Sequence, residues 1–136
     1  MNLHHPSNPT SRGLTLLEMS MVILVLLTLI QIGLFTSGKM SEWSKGRQAS
    51  ETLREVYSAQ RMFLADHPTT DVSAITDANL LPYLQGSPDA LPTVESLDGT
   101  ELNILVNVSP PIINAGSGVA YDPSGDNSDS LWDVGD

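Results

Sequence analysis

The chain has no cysteine. That excludes disulfides, thiolate metal sites and cysteine nucleophiles, and it is compatible with any redox compartment. Basic residues are missing over most of its length. Residues 62–136 carry twelve Asp and Glu and no Lys or Arg. Such a surface repels phosphate backbones, so no direct nucleic-acid binding is expected of this part. Histidine is scarce: His4 and His5 lie near the start, and His67 stands before Pro68, where a satisfied loop histidine is expected. There is no phosphate-binding glycine loop and no zinc-ligand spacing. With no evident nucleophile, base or metal set for a pocket, no catalytic activity is expected.

The apolar residues that are present are concentrated at one end. Residues 14–35 form an apolar run of 22 residues, roughly 33 Å as a helix, which is long enough to span a bilayer core. The rest of the 136-residue chain is left with a modest core, so one small domain plus a membrane segment is expected. Inside the apolar run, five residues after Gly13, stands Glu18. An ionised carboxylate there is costly in lipid, and it marks a functional site more often than an accident. The order of segments also differs from a secretory signal peptide, in which the cleavage site follows the apolar stretch. Here polar residues 1–13 come first, so cleavage after Gly13 would leave the hydrophobic helix on the mature chain. An uncleaved membrane anchor is the plainer alternative, but such an anchor has no use for Glu18.

The segment Arg12-Gly13-Leu14-Thr15-Leu16-Leu17-Glu18 resembles the prepilin cleavage and methylation motif of the type IV pilin and pseudopilin superfamily. The likeness is strong over about residues 10–38 and general beyond them. It implies a membrane-embedded prepilin peptidase and methyltransferase that cuts after Gly13 and methylates the new amino terminus on Leu14. The family usually has Phe where this chain has Leu14. Glu18 is then the acidic residue used in filament assembly. The physics suits that role: the new α-amino group on one subunit can meet Glu18 on a neighbour, which rewards one axial offset and acts as a register device. The likeness also sets the topology, a single helix in the bacterial inner membrane with the head outside the cytoplasm, followed by a periplasmic or extracellular filament. Loop charge favours the opposite orientation, since Arg12 alone precedes the span while Lys39, Lys45 and Arg47 follow it.

Beyond the membrane run, Leu53, Val56, Tyr57, Gln60, Phe63 and Leu64 recur at helical spacing, with Ala49 one turn earlier. Glu51, Arg54, Glu55, Ser58 and Arg61 fall largely on the other face. One helix is expected over residues 14–66, stopping at His67-Pro68. Some loosening is expected near Gly33 to Gly38, although no proline forces it. The lower half should pack on other subunits and the upper half on its own head. Thr76 should cap a short helix limited by Pro82, with Leu80, Leu81, Tyr83 and Leu84 packing on the long one. Asp98-Gly99 signals a hairpin turn between residues 93–97 and a strand in which Leu102, Ile104, Val106 and Val108 alternate with polar residues. Pro110-Pro111 should end that strand, and residues 119–121 should add a third. The expected fold class is α+β: a long N-terminal helix on a small antiparallel sheet, pilin-like. The expected division is residues 1–13 leader, 14–38 membrane and assembly helix, 39–67 amphipathic continuation, and 68–136 small acidic head.

Residues 121–133 hold four Asp in a stretch rich in Ser, Asn and Gly. Calcium takes six to eight oxygens, and such a loop can offer them, although the order is not that of an EF-hand. It is loosely similar to the calcium-binding C-terminal loop of the major pseudopilin of type II secretion. The candidate ligands are Asp122, Asp126 and Asp129. The alternative is a solvated acidic tail anchored by Leu131 and Trp132. No cofactor is required, and calcium is the one candidate ion.

The combined expectation is a non-enzymatic filament subunit most like a type II secretion pseudopilin. The short head, the missing cysteines and the acidic tail favour that subfamily; many type IVa pilins close their C-terminal region with a disulfide. Its partners are the peptidase, identical or homologous subunits, the inner-membrane assembly machinery and lipid. A true type IV pilin for adhesion, motility or DNA uptake is one alternative. A monomeric membrane-tethered binding module is another.

Overall fold

The computed structural model describes residues 1, 3, 13 and 15–135. Leu14 and leader residues 2 and 4–12 lie outside the described residues. The chain forms two compact units, Met1–Gly38 and Lys39–Asp136. Helix α1, Leu16–Asp66, supplies residues to both.

In the first unit residues 16–35 of the apolar run are helical, and none of them is buried within the chain. Its hydroxyls turn back onto the helix: Ser20 donates to the Leu17 carbonyl at 2.8 Å, Thr28 to Val25 at 2.7 Å and Thr36 to Ile32 at 3.0 Å. That pattern leaves these polar atoms satisfied without water, as a lipid-facing helix requires. By length and composition the helix can cross a membrane, a test that a signal sequence would also pass. The helix continues through Gly33 and Gly38 without the loosening expected there. Glycine in a helix interior costs only about 1 kcal/mol, and no proline adds to it.

In the second unit α1 buries the stripe that its spacing predicts. Ala49, Leu53, Val56, Gln60 and Phe63 are buried, and Tyr57 and Leu64 are half-buried. The helix ends at Asp66, before His67-Pro68. His67 stacks on Phe63 with ring centroids 4.4 Å apart, and its Nδ1 lies 3.1 Å from the Phe63 carbonyl. Helix α2, Asp77–Leu80, begins after Thr76, whose backbone N–H and hydroxyl donate to Asn79 Oδ1 at 2.9 and 2.7 Å. Leu80 and Leu84 are buried in the core, with Leu81 and Tyr83 partly buried beside them. Tyr83 meets Phe63 edge-on, and its hydroxyl donates to Asp66 at 2.8 Å.

The strands are shorter than the alternation predicts, and they form two separate antiparallel pairs. β1, Val94–Glu95, pairs with β2, Glu101–Leu102; β3, Ile104–Leu105, pairs with β4, Ile112–Ile113. The Asp98-Gly99 turn joins the first pair, with Gly99 at φ 89°. The expected continuous strand breaks at Asn103, whose carbonyl accepts from Asn114 N–H at 2.9 Å. Further along, the Val106 and Val108 carbonyls both accept from Gln60 Nε2, at 2.8 and 2.7 Å. Backbone groups that could have continued a ladder are satisfied by the long helix instead. No strand runs into Pro110-Pro111, and β4 starts directly after the pair. Residues 119–121 contribute one bridge, Asn114 to Ala120, in place of a full strand.

Gln60 therefore joins helix to sheet inside the core. Gln60→Leu should lower the stability of this unit by roughly 1–3 kcal/mol, because two carbonyls lose a shared buried donor. Denaturant unfolding of the purified variant measures this, and a change below about 0.5 kcal/mol would mean that the two bonds do little.

Candidate functional site

Gly13 is exposed and its α-carbon has open space around it. Leu14, the expected first mature residue, is outside the described residues. Directly after it the chain enters α1 through a reciprocal pair. Glu18 Oε2 accepts from the Thr15 backbone N–H at 2.8 Å and from its hydroxyl at 3.2 Å. The Thr15 hydroxyl in turn accepts from the Glu18 backbone N–H at 3.2 Å. This is a capping box, with threonine before the helix and glutamate three residues on. It satisfies N–H groups that the first turn leaves without helical partners, and it places negative charge at the positive end of the helix dipole. Glu18 is exposed, so its carboxylate stays open to a partner while it is held at the helix start. The Thr15-x-x-Glu18 spacing is a sequence signal for this cap, beside the cost of the charge in lipid.

The acidic tail is attached to α1 by its end. Trp132 is buried, its backbone N–H donates to the Gly46 carbonyl at 3.1 Å, and its ring meets Tyr121 edge-on at 5.2 Å. Gly46 makes this approach possible: a Cβ there would stand 2.9 Å from Trp132 Nε1. Arg54 holds the next stretch, with Nε donating to the Val134 carbonyl at 2.8 Å and a terminal nitrogen to Ser130 Oγ at 2.7 Å.

The carboxylates between these anchors differ in their surroundings. Asp126 Oδ1 accepts from the Ser128 backbone N–H at 3.0 Å and hydroxyl at 2.8 Å. The backbone donor first and the hydroxyl second hold Asp126 below the usual carboxylate range. Asp122 Oδ1 accepts from the Ser124 N–H and hydroxyl at 3.0 and 2.6 Å, and Asp129 Oδ1 from the Leu131 N–H at 2.9 Å. Asp133 is the exception. Burial pushes its carboxyl up, the Gly135 N–H opposes this, and repulsion from Asp129 and Asp122 adds to the rise. Asp129 and Asp122 thus act on Asp133 through their charge, while Asp122, Asp126 and Asp129 each accept within their own turns. Asp122 Oδ2 and Asp133 Oδ2 are buried with no hydrogen-bond partner among the described residues. Among those residues no group of three His, Asp or Glu is arranged to hold a metal ion.

The raised Asp133 has a consequence for stability. A carboxyl raised in the folded state stabilises the fold below its unfolded pKa, and that contribution is lost as pH rises through the folded value. Asp71, held down first by the Ser73 N–H, and Asp98, held down first by the Ser96 hydroxyl, act in the opposite sense, as Asp126 does. Asp133→Asn keeps an oxygen for Gly135 N–H and removes the charge. With a chelator present it should raise the Tm at pH 7, and the gap should close as pH falls below the ordinary Asp range. A Tm at pH 7 equal to or below that of the unchanged chain would contradict this.

No family model, curated protein or solved structure matches the chain.

Proposed function

We propose that the chain is a non-enzymatic structural subunit of a pilus-like filament, processed by prepilin peptidase after Gly13 and closest in kind to a type II secretion pseudopilin. One observation carries this reading. An apolar helical run, exposed along its whole length, begins with an acidic side chain fixed in its first turn, directly after a Gly13-Leu14 junction. A plain anchor is served by the apolar run alone. A subunit that must dock at one axial offset needs a charged marker at a fixed place on that run, and the capping box fixes it.

In this reading the mature chain waits in the inner membrane with its head outside the cytoplasm. The assembly machinery then extracts it into a filament of identical or homologous copies. Calcium belongs to the proposal as an ion that would draw the tail carboxylates into a site they do not form as they stand, since it would satisfy the buried Asp122 and Asp133 oxygens that lack partners. Chelation should then lower the Tm of the protein, and an unchanged Tm on adding excess calcium would remove calcium from the account.

The subunit role is tested by co-expressing the chain with a prepilin peptidase and a secretion-type assembly system, then examining sheared material by electron microscopy. Short filaments containing the chain are expected. Long surface filaments at normal expression would favour a type IV pilin. Fully processed chain that stays monomeric in the membrane would favour a tethered module and overturn the filament reading.

A further inference from the structure

All basic residues of the second unit lie on α1: Lys39, Lys45, Arg47, Arg54 and Arg61. Arg47, Arg54 and Arg61 are spaced by seven residues, so they share one side of the helix, each rung about 10 Å from the next. This side is turned from Leu53, Val56 and Gln60 but borders the buried face at Ser50, between Arg47 and Arg54, and Arg47 is half-buried. The rungs are not alike. The middle one, Arg54, is committed to the chain's own tail through Val134 and Ser130. The outer two lie over aromatic rings, with Arg47 Cζ 5.7 Å from the Trp43 centroid and Arg61 Cζ 5.8 Å from that of Tyr57. Among the described residues neither outer guanidinium forms a salt bridge, although Glu51 and Glu55 lie on nearby turns. Ring stacking restricts a guanidinium and leaves its N–H groups available, and arginine with Trp or Tyr is the composition of interface hot spots.

Copies of a chain with net charge −10 repel one another unless positive surface of one meets negative surface of the next. The only basic side chains beyond Arg12 are those on α1, and residues 62–136 are acidic throughout. Charge therefore favours a packing of heads that brings an acidic surface onto this helix. The tail offers exposed carboxylates at Asp126 and Asp129.

The geometry points to the Trp43–Arg47 and Tyr57–Arg61 pairs on α1 as a docking surface for the acidic tail of a second copy of this chain. Arg54 ties each tail to its own helix, so the tail is presented at a fixed place, and the outer rungs take the tail of the neighbour. This inference rests on the filament reading and adds to it a head-to-head contact separate from Glu18. Such exposed charge pairs contribute mainly to choice of partner and register, and they weaken with salt.

The absence of native cysteine makes the contact testable in the full-length chain. One differently tagged copy carries Ser58→Cys, on the outer face between Arg54 and Arg61; the other carries Asn127→Cys in the tail. Both residues are exposed. Oxidation of assembled membranes should give a mixed disulfide dimer. Arg47→Glu with Arg61→Glu in the Ser58→Cys copy should reduce it at least about fivefold, and Asp126→Lys in the other copy should restore part of the loss. Filaments that form without the mixed disulfide, or a disulfide indifferent to the arginine reversal, overturn this contact and leave the filament reading standing. Disulfides only to other proteins overturn it as well. If no filaments form, the filament reading falls, and this contact falls with it.

Discussion

Glu18→Gln and Glu18→Ala should both abolish incorporation of the chain into the proposed filaments, and the pair separates two roles of one side chain. Glutamine keeps an oxygen that can accept from Thr15, so the capping box survives in neutral form. Alanine removes both the acceptor and the charge. If the carboxylate serves as the countercharge for a neighbour's amino terminus, losing the charge alone is sufficient. Breaking a buried ion pair by removing one partner costs roughly 3–5 kcal/mol, or about 100-fold or more in subunit affinity at 1.4 kcal/mol per decade. Thr15→Val gives the complementary result. It loses the hydroxyl that accepts from Glu18 N–H and keeps the charge, so it should cost only the cap, roughly 0.5–2 kcal/mol of helix stability. Quantifying each variant in sheared filaments, against equal membrane levels, checks this. Assembly of Glu18→Gln at the level of the unchanged chain would reduce Glu18 to a helix cap.

The second large effect concerns the head. Leu53 has no exposed surface and lies on α1 in the core cluster that includes Val56, Ile104, Ile113 and Trp132. Leu53→Ala removes buried methyl groups and leaves a cavity between helix, strands and tail, at a cost of about 3 kcal/mol. Domains of this size hold roughly 5–15 kcal/mol in total, so much of the margin is lost. At about 4–8 °C per kcal/mol for a small domain, the Tm of the head should fall by roughly 10–25 °C. Because Trp132 belongs to the same cluster, its fluorescence should report the loss together with the loss of helix. A shift of a degree or two would mean that the helix and the tail are not one cooperative core.

The parts of this fold that were legible in the sequence are those set by local rules. The end of α1 at Asp66 follows from the proline at Pro68, and its buried stripe follows from the spacing of Ala49, Leu53, Val56 and Phe63. The cap before α2 and the turn at Asp98-Gly99 were legible for the same reason. Gln60 lay on the apolar stripe, but its task did not show, because its partners are carbonyls 46 and 48 residues away. That long-range bond is also why the alternation from Leu102 to Val108 overstated the strand. In the tail, counting carboxylates could not tell that Asp122 and Asp133 are half-buried while Asp126 and Asp129 are exposed. Burial of Trp132 beside Gly46 and the hold of Arg54 on Val134 bring Asp133 inward, while Asp126 is satisfied by Ser128. At the other end Glu18 stood out for the cost of its charge, and the Thr15-x-x-Glu18 spacing adds a local structural role that the charge argument alone does not contain.

The Glu18 countercharge exists only if a peptidase exposes an amine four residues ahead of it in the chain. Intact mass and amino-terminal sequencing of the mature protein, recovered from membranes that contain a prepilin peptidase, test this directly. The account predicts a chain that begins at Leu14 and carries one added methyl group. A mature chain that still begins at Met1 would contradict it.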